Sequence, residues 1–239
     1  MSEHAAEPIS GTYRFAMAAC SPLVGAWGRL EAVGPEHLPR TGPVLLVGNH
    51  DSHWDPVAVG IAGRERRQIR ALAKASLWDI KPLGPVLDGM GQVPIRRGAG
   101  DAGALDSAIS QLRAGACIGV FPEGTISRGQ TLRARSGIGR LALSVPEARL
   151  LCVTVSGTVD IVRFPRRPQI RVEFFEPASG QIDPSEDPGE LSRRLLAEIR
   201  ERAPIAIPGR RRKAERYRLA AEAAQRESAQ EAEGEAAIG

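Results

Sequence analysis

From Pro43 to Phe175 the chain alternates short apolar runs with stretches of helical periodicity, and that alternation limits the possible folds more than any other feature. Residues 44–47, 68–75, 91–97, 117–121, 150–155 and 169–175 read as strands. Asp55-Pro56 has the form of an N-cap followed by proline in the first turn, which predicts a helix over 56–66. Asp101 opens a second helix with Leu105, Ile109 and Leu112 at i, i+4 and i+7, and Gly115 closes it. A third covers 137–143. Pro94 cannot donate to a ladder, so the 91–97 strand belongs near an edge. Strands and helices in this order predict an α/β fold, a mixed, mostly parallel sheet flanked by helices, with polar sites just after the strands.

Two flanking regions differ from this middle. Residues 13–34 place Leu23, Val24, Trp27 and Leu30 at helical spacing, and Pro22 divides the segment into two short pieces. The segment is amphipathic: Arg14 and Arg29 can reach lipid phosphates while Phe15 and Trp27 enter the interface. A helix that merely covers the core has the same periodicity. Leu191, Leu195, Leu196 and Ile199 form an amphipathic capping helix, after which 208–239 is charge and alanine, with a basic block at 210–218 suited to anionic lipid or to solvent. The expected organisation is an N-terminal amphipathic segment (1–34), one domain (35–207) and a charged tail (208–239).

Composition narrows the function. A chain of 239 residues, 42% hydrophobic, can bury one sizeable core. Its three cysteines are far apart and without CxxC spacing, so neither a disulfide framework nor a zinc knuckle is implied, and a reducing compartment is expected. The first ten residues lack the pattern of a secretory signal, and no run approaches the roughly 18 apolar residues that span a bilayer. Lys and Arg (32) barely exceed Asp and Glu (28), which favours an anionic partner weakly; aromatic residues are few, so stacking platforms for nucleic acid are not expected.

The stretch GNHDSHWDP, residues 48–56, follows the first strand and admits three readings. His50, Asp51, His53 and Asp55 are all possible metal ligands, but a His-x-x-His pair alone is weak, since zinc needs three or four convergent ligands. Ser52 and Asp55 can cap a helix start with no catalytic part. In the third reading a histidine at a strand end faces a carboxylate at the next helix start, which fixes the tautomer and leaves the other ring nitrogen free to take a proton. No G-x-S-x-G elbow occurs, and Cys117 and Cys152 lie in apolar strands where thiols are inert. A general base at His50 would then act on a nucleophile brought by the substrate.

At these residues the chain resembles the glycerolipid acyltransferases, in particular the 1-acyl-sn-glycerol-3-phosphate (lysophosphatidate) acyltransferases. N-H-x-x-x-x-D appears as Asn49-His50 through Asp55, and F-P-E-G-T is intact over 121–125. GQVPIRR, 91–97, is similar to the block between them, and Val153-Thr154-Val155 to the last block. The resemblance covers roughly 43–157. It implies the glycerolipid acyltransferase fold and transfer of a fatty acyl group from acyl-CoA or acyl-carrier protein to the free hydroxyl of a lysophospholipid, without an acyl-enzyme, a metal or another cofactor.

By the same resemblance His50 is the general base, Asp55 its orienting carboxylate and Arg97 the handle for the phosphate, which a guanidinium meets through two parallel hydrogen bonds. Glu123 either orients an arginine or accepts from a substrate hydroxyl. Gly124 lets backbone N–H groups approach an anion, and Thr125 can donate to it. The chain departs from the family pattern at Ile126, where arginine is common, and at Thr154, where proline is usual. Arg128 lies two residues beyond Ile126, and Arg135 stands near a frequent lysine, so both are candidates for the phosphate side. Lysophosphatidate leads as acceptor, with another lysophospholipid or glycerol-3-phosphate behind it. The resemblance places the protein at the cytoplasmic face of the cell membrane, bound peripherally.

Overall fold

The computed structural model describes residues 7–96, 101–165 and 167–206. Seven strands, β1 (Glu31–Val33), β2 (Val44–Gly48), β3 (Ile69–Lys74), β4 (Val93–Ile95), β5 (Cys117–Val120), β6 (Arg149–Ser156) and β7 (Arg171–Phe175), form one sheet in the order β1-β7-β6-β2-β5-β3-β4. Every adjacent pair is parallel except β6 with β7. Among the described residues the six α-helices are α1 (Gly11–Ser21), α2 (Asp55–Gly63), α3 (Leu83–Gly89), α4 (Ala102–Arg113), α5 (Gly137–Ser144) and α6 (Pro188–Arg202). The mixed, mostly parallel sheet with flanking helices is the predicted α/β fold, and β4 is the edge strand that Pro94 suggests.

Side chains on a strand alternate between faces, and here they sort into two cores. Val44 and Leu46 of β2 join Leu151, Val153 and Val155 of β6 beneath α1 and α2, with Tyr13, Met17, Ala58 and Val59. Leu45 and Val47, with Leu150 and Cys152, face α4, α5 and α6 through Ala108, Leu112, Leu141, Ala142, Leu195 and Ile199. Because both faces are covered, β2 and β5 are buried along their whole length and read in sequence as unbroken apolar runs.

The N-terminal segment packs one side against the core and leaves the other exposed. Its inner side, Tyr13, Met17 and Val24, is part of the first core. Its outer side leaves Arg14, Phe15, Ala18, Ala19, Pro22, Ala26 and Arg29 exposed. The helix begins at a Ser10 cap, whose hydroxyl accepts from the Tyr13 N–H at 3.1 Å, and continues beyond Pro22 as a π-helical stretch, Pro22–Trp27. The last residues of the segment enter the sheet, where Glu31–Val33 pair with β7. Among the described residues no helix is long and apolar enough to cross a membrane.

Topology places the site. The chain leaves β2 into α2 on one face and leaves its neighbour β5 toward α5 on the other. Where adjacent parallel strands send their connections to opposite faces, a crevice opens outside their carboxyl ends. His50 follows β2 into that crevice, and Glu123 follows β5.

Candidate active site

Asn49, the first residue past β2, extends the sheet with its side chain. Its amide donates to the Val155 carbonyl at 2.8 Å and accepts from the Val155 N–H at 2.8 Å. The backbone is thereby held at the end of β2 while it turns away, and His50 is carried across the crevice mouth. The His50 ring lies on Phe121, with centroids 4.4 Å apart and planes 14° from parallel.

His50 Nδ1 and Asp55 Oδ2 are 3.2 Å apart, and the two residues are 5% and 0% exposed. Asp55 is not the N-cap that its place before Pro56 suggested: it is the first residue of α2, and its carboxylate turns back over the preceding loop. Oδ2 also accepts from the N–H groups of Asp51, at 2.6 Å, and Ser52, at 2.7 Å, while Oδ1 accepts from the Thr158 hydroxyl. Four donors therefore fix one carboxylate, and the geometry assigns Nδ1 of His50 as the protonated ring nitrogen. Nε2 then carries the lone pair, and among the described residues no hydrogen bond is made to it. Ser52 keeps a local capping role, its hydroxyl accepting from the Trp54 N–H at 3.2 Å.

Glu123 sits behind the histidine. One oxygen accepts from the His50 N–H at 2.8 Å; the other accepts from Arg200, whose Nε lies at 3.2 Å. Arg200 reaches in from the last turn of α6 and also grips Asp51 through two parallel hydrogen bonds, both 2.9 Å. The remaining contacts of Asp51 are Asn49 Nδ2 at 3.1 Å and the Ser127 hydroxyl. The Ser127 N–H in turn donates to the His50 carbonyl at 2.8 Å, closing the loop after β5 onto the loop after β2. One guanidinium between two buried carboxylates is the arrangement in which a buried charge can be tolerated, because each member loses water and gains hydrogen bonds.

Both partners are shifted upward, which disfavours the charge on Glu123 and favours the charge on Arg200. Burial pushes the Glu123 carboxyl above its ordinary value, and the adjacent Arg200 offsets this only in part. For Arg200 burial acts to lower the value, but hydrogen bonds to Asp51 and the charges of Asp51 and Glu123 together outweigh it and raise the net value. Arg200 is thus the fixed charge of the cluster, and Glu123 the group that can change its protonation. The thiols of Cys117 and Cys152 are pushed up to about 12 by burial, so neither supplies a thiolate nucleophile.

The remaining predicted residues divide. Gly124 has φ +67°, a left-handed conformation that suits glycine, and a Cβ there would lie 2.7 Å from Cδ and Nε of Arg135. Arg135 is therefore brought against the Glu123-Gly124 turn, and its N–H donates to the Pro122 carbonyl at 2.9 Å. Thr125 and Arg128 are exposed on the same loop. Arg97 lies outside the described residues. Among the described residues no group of three or more His, Cys, Asp or Glu side chains is arranged to hold a metal ion. A cavity of about 880 Å³ opens beside Glu123 and Arg200, walled by Leu132, Leu196, Ala197 and Ile205.

Sequence reasoning did not find Thr158 or Arg200. It noted Asn49 as part of the motif and Asp51 as a possible metal ligand, but not the hydrogen bonds they make here. Arg200 carried one signal: it follows Leu196 at i+4 and so lies along the apolar stripe of α6, an unusual place for a cation.

Residues 29–161, more than half of the chain, match the family described as Acyltransferase. A Borreliella burgdorferi protein named 1-acyl-sn-glycerol-3-phosphate acyltransferase is 34% identical over 133 residues, which cover 54% of this chain and 52% of that protein. A Bacillus subtilis protein of the same name is 24% identical over 169 residues, covering 71% of this chain and 74% of the relative. The chain thus matches about half the length of the first relative and three quarters of the second. Its fold is similar to that of the 1-acyl-sn-glycerophosphate (LPA) acyltransferase of Thermotoga maritima, with a TM-score of 0.59 at 22% identity over 79% of this chain and 78% of that one.

Proposed function

The chain belongs to the Acyltransferase family, and from that premise we propose that it transfers a fatty acyl group from acyl-CoA or acyl-carrier protein to the free hydroxyl of 1-acyl-sn-glycerol-3-phosphate, making phosphatidate for phospholipid synthesis. The observation that carries the reading is the His50–Asp55 pair, 3.2 Å apart and buried, which engages Nδ1 and leaves Nε2 without a hydrogen bond among the described residues. The names of the two relatives supply the substrate class.

The acceptor hydroxyl donates its proton to Nε2 as its oxygen attacks the thioester carbonyl. The tetrahedral adduct collapses, the C–S bond breaks, and the imidazolium returns the proton to the leaving thiolate. Asp55 holds the ring and balances its transient charge, and Phe121 stops it from rotating. Proton transfer of this kind contributes roughly 10²–10⁴-fold, so alignment of the two substrates supplies much of the remainder. The hydrogen bonds of Glu123 to Arg200 and to the His50 N–H support a positioning role for it, in which it orients an arginine and anchors the His50 backbone. Arg97, Arg128 and Arg135, with Gly124 and Thr125, are assigned to the phosphate. The protein works at the cytoplasmic face of the membrane, in contact with it through the outer side of the N-terminal segment.

Thiol release from oleoyl-CoA in mixed micelles tests this, with lysophosphatidate, glycerol-3-phosphate, lysophosphatidylcholine or no acceptor. Release is expected to require lysophosphatidate and to fall about 10²–10⁴-fold in His50→Ala. Release that is equal without acceptor identifies a thioesterase instead, and lipid binding without turnover identifies a non-catalytic module.

A further inference from the structure

The loop from Gly157 to Pro168 exposes Val162 (60%) and Phe164 (82%), two of the four large apolar side chains that are exposed among the described residues. A single exposed apolar residue means little. These two are displayed by a loop that is tied down on both sides. The Phe164 ring stacks on Trp27, with centroids 6.1 Å apart and planes 15° from parallel, and Trp27 Nε1 donates to the Ile161 carbonyl at 2.9 Å. Arg167 lies over the Trp27 ring at 5.6 Å and donates through Nε to the Trp27 carbonyl at 3.2 Å and through its other nitrogen to that of Ala26. Arg29 Nε reaches the Pro168 carbonyl at 3.3 Å. The tip therefore cannot fold its apolar residues inward, and it is continuous with the outer side of the N-terminal segment through Ala26 and Trp27.

Charge identifies what this surface meets. Among the described residues of this loop two arginines, Arg163 and Arg167, stand with one carboxylate, Asp160, which is 3.7 Å from Arg163. Arg14 and Arg29 lie at the two ends of the adjoining helical face, whose other exposed residues are apolar. An exposed aromatic and aliphatic tip flanked by Arg163 and Arg167 matches the boundary of an anionic bilayer, where apolar side chains enter and arginines lie near phosphates.

We propose that Val162 and Phe164, the latter stacked on Trp27, insert into the surface of an anionic phospholipid membrane as a second contact beside α1. Four residues before Val162 the same loop holds Thr158, which is buried and donates to Asp55, while the Thr158 carbonyl accepts from the Ser52 hydroxyl at 3.3 Å. The element that meets the lipid is thus the element that positions the catalytic aspartate. That consequence rests on the acyl-transfer reading; the lipid contact does not.

Co-sedimentation of the full chain with vesicles tests the contact. Wild type is compared with V162S/F164S on phosphatidylcholine containing 30% phosphatidylglycerol and on phosphatidylcholine alone, with the thermal midpoint as the folding control. We expect the double variant to keep its midpoint and to partition about 10–100-fold more weakly onto anionic vesicles, the loss that follows from burying about one large and one medium apolar side chain. Wild type is expected to bind neutral vesicles several-fold more weakly than anionic ones. Equal partition of the two proteins, or no binding of wild type to either vesicle, overturns the proposal. A parallel assay with a water-soluble short-chain lysophosphatidate separates the two readings: loss of vesicle partition with no acyl transfer by wild type sustains the membrane contact and refutes the enzymatic reading.

Discussion

At the scale of single residues the site depends on one guanidinium. Arg200 pairs with Asp51 and Glu123, and through Glu123 it holds the His50 N–H. Arg200→Met strands two buried carboxylates, a change that costs about 3–5 kcal/mol, whereas Arg200→Lys keeps the charge and loses the two-pronged grip. The expected order in urea denaturation is wild type, then Lys, then Met, and kcat should fall in both variants at a temperature where each is folded. Glu123 adds a pH dependence of unusual sign. A carboxyl raised above its ordinary value of 4.5 binds its proton more tightly in the folded chain, so its contribution to stability is full below that value and is lost as pH rises through the folded value. Glu123→Gln removes the titration; its destabilisation, measured by denaturation at pH 5 and pH 7.5, should be the larger at pH 5. The reverse order would mean that Arg200 overrides burial. His50, Asp55 and Glu123 were legible because the first two are five residues apart and all three stand in compact motifs. Arg200 was not, since it meets Asp51 across 149 residues of sequence and has no local pattern of its own.

At the scale of elements, α6 delivers Arg200, and its seat on α5 sets the position of that arginine. The two helices meet at Gly139, whose N–H donates to the Ser192 hydroxyl at 3.0 Å, and a Cβ at that position would lie 1.9 Å from the Pro188 carbonyl oxygen. No side-chain rotation relieves a clash with backbone, so Gly139→Ala must push α6 away. A loss of about 1–3 kcal/mol is expected, and kcat should fall as well, because the shift is passed to Arg200 and Glu123. Retained activity in a destabilised Gly139→Ala would show that α6 tolerates displacement without disturbing His50. The central strands β2, β5 and β6 were legible because burial on both faces writes them as apolar runs. β1 was not: it has three residues, two of them exposed, and exists through its pairing with β7 about 140 residues away. α3 was also missed; seven residues with a single buried position, Gly84, leave no stripe to read.

At the scale of the whole molecule, one N-terminal helix has to close a core and face outward at the same time, and the two duties fall on residues two apart. Tyr13 is 1% exposed, packs under the sheet and donates its hydroxyl to the Gly60 carbonyl at 3.2 Å; Phe15 is 71% exposed. Periodicity could not separate a core-covering helix from one with an exposed outer face because the segment has both faces, and only the fold shows which aromatic belongs to which. The separation predicts opposite outcomes for neighbouring substitutions. Tyr13→Ala empties a buried site between α1 and α2 and should cost about 3–5 kcal/mol, with a lowered thermal midpoint whether or not lipid is present. Phe15→Ser removes little packing and should stay within about 0.5 kcal/mol of wild type in solution. If the outer face meets the bilayer, Phe15→Ser should nonetheless weaken partition onto anionic vesicles and lower turnover of vesicle-borne acceptor while leaving turnover of a water-soluble acceptor intact. Unchanged partition in Phe15→Ser, alongside weakened partition in V162S/F164S, would confine the lipid contact to the 157–168 loop and leave α1 as a cover for the core.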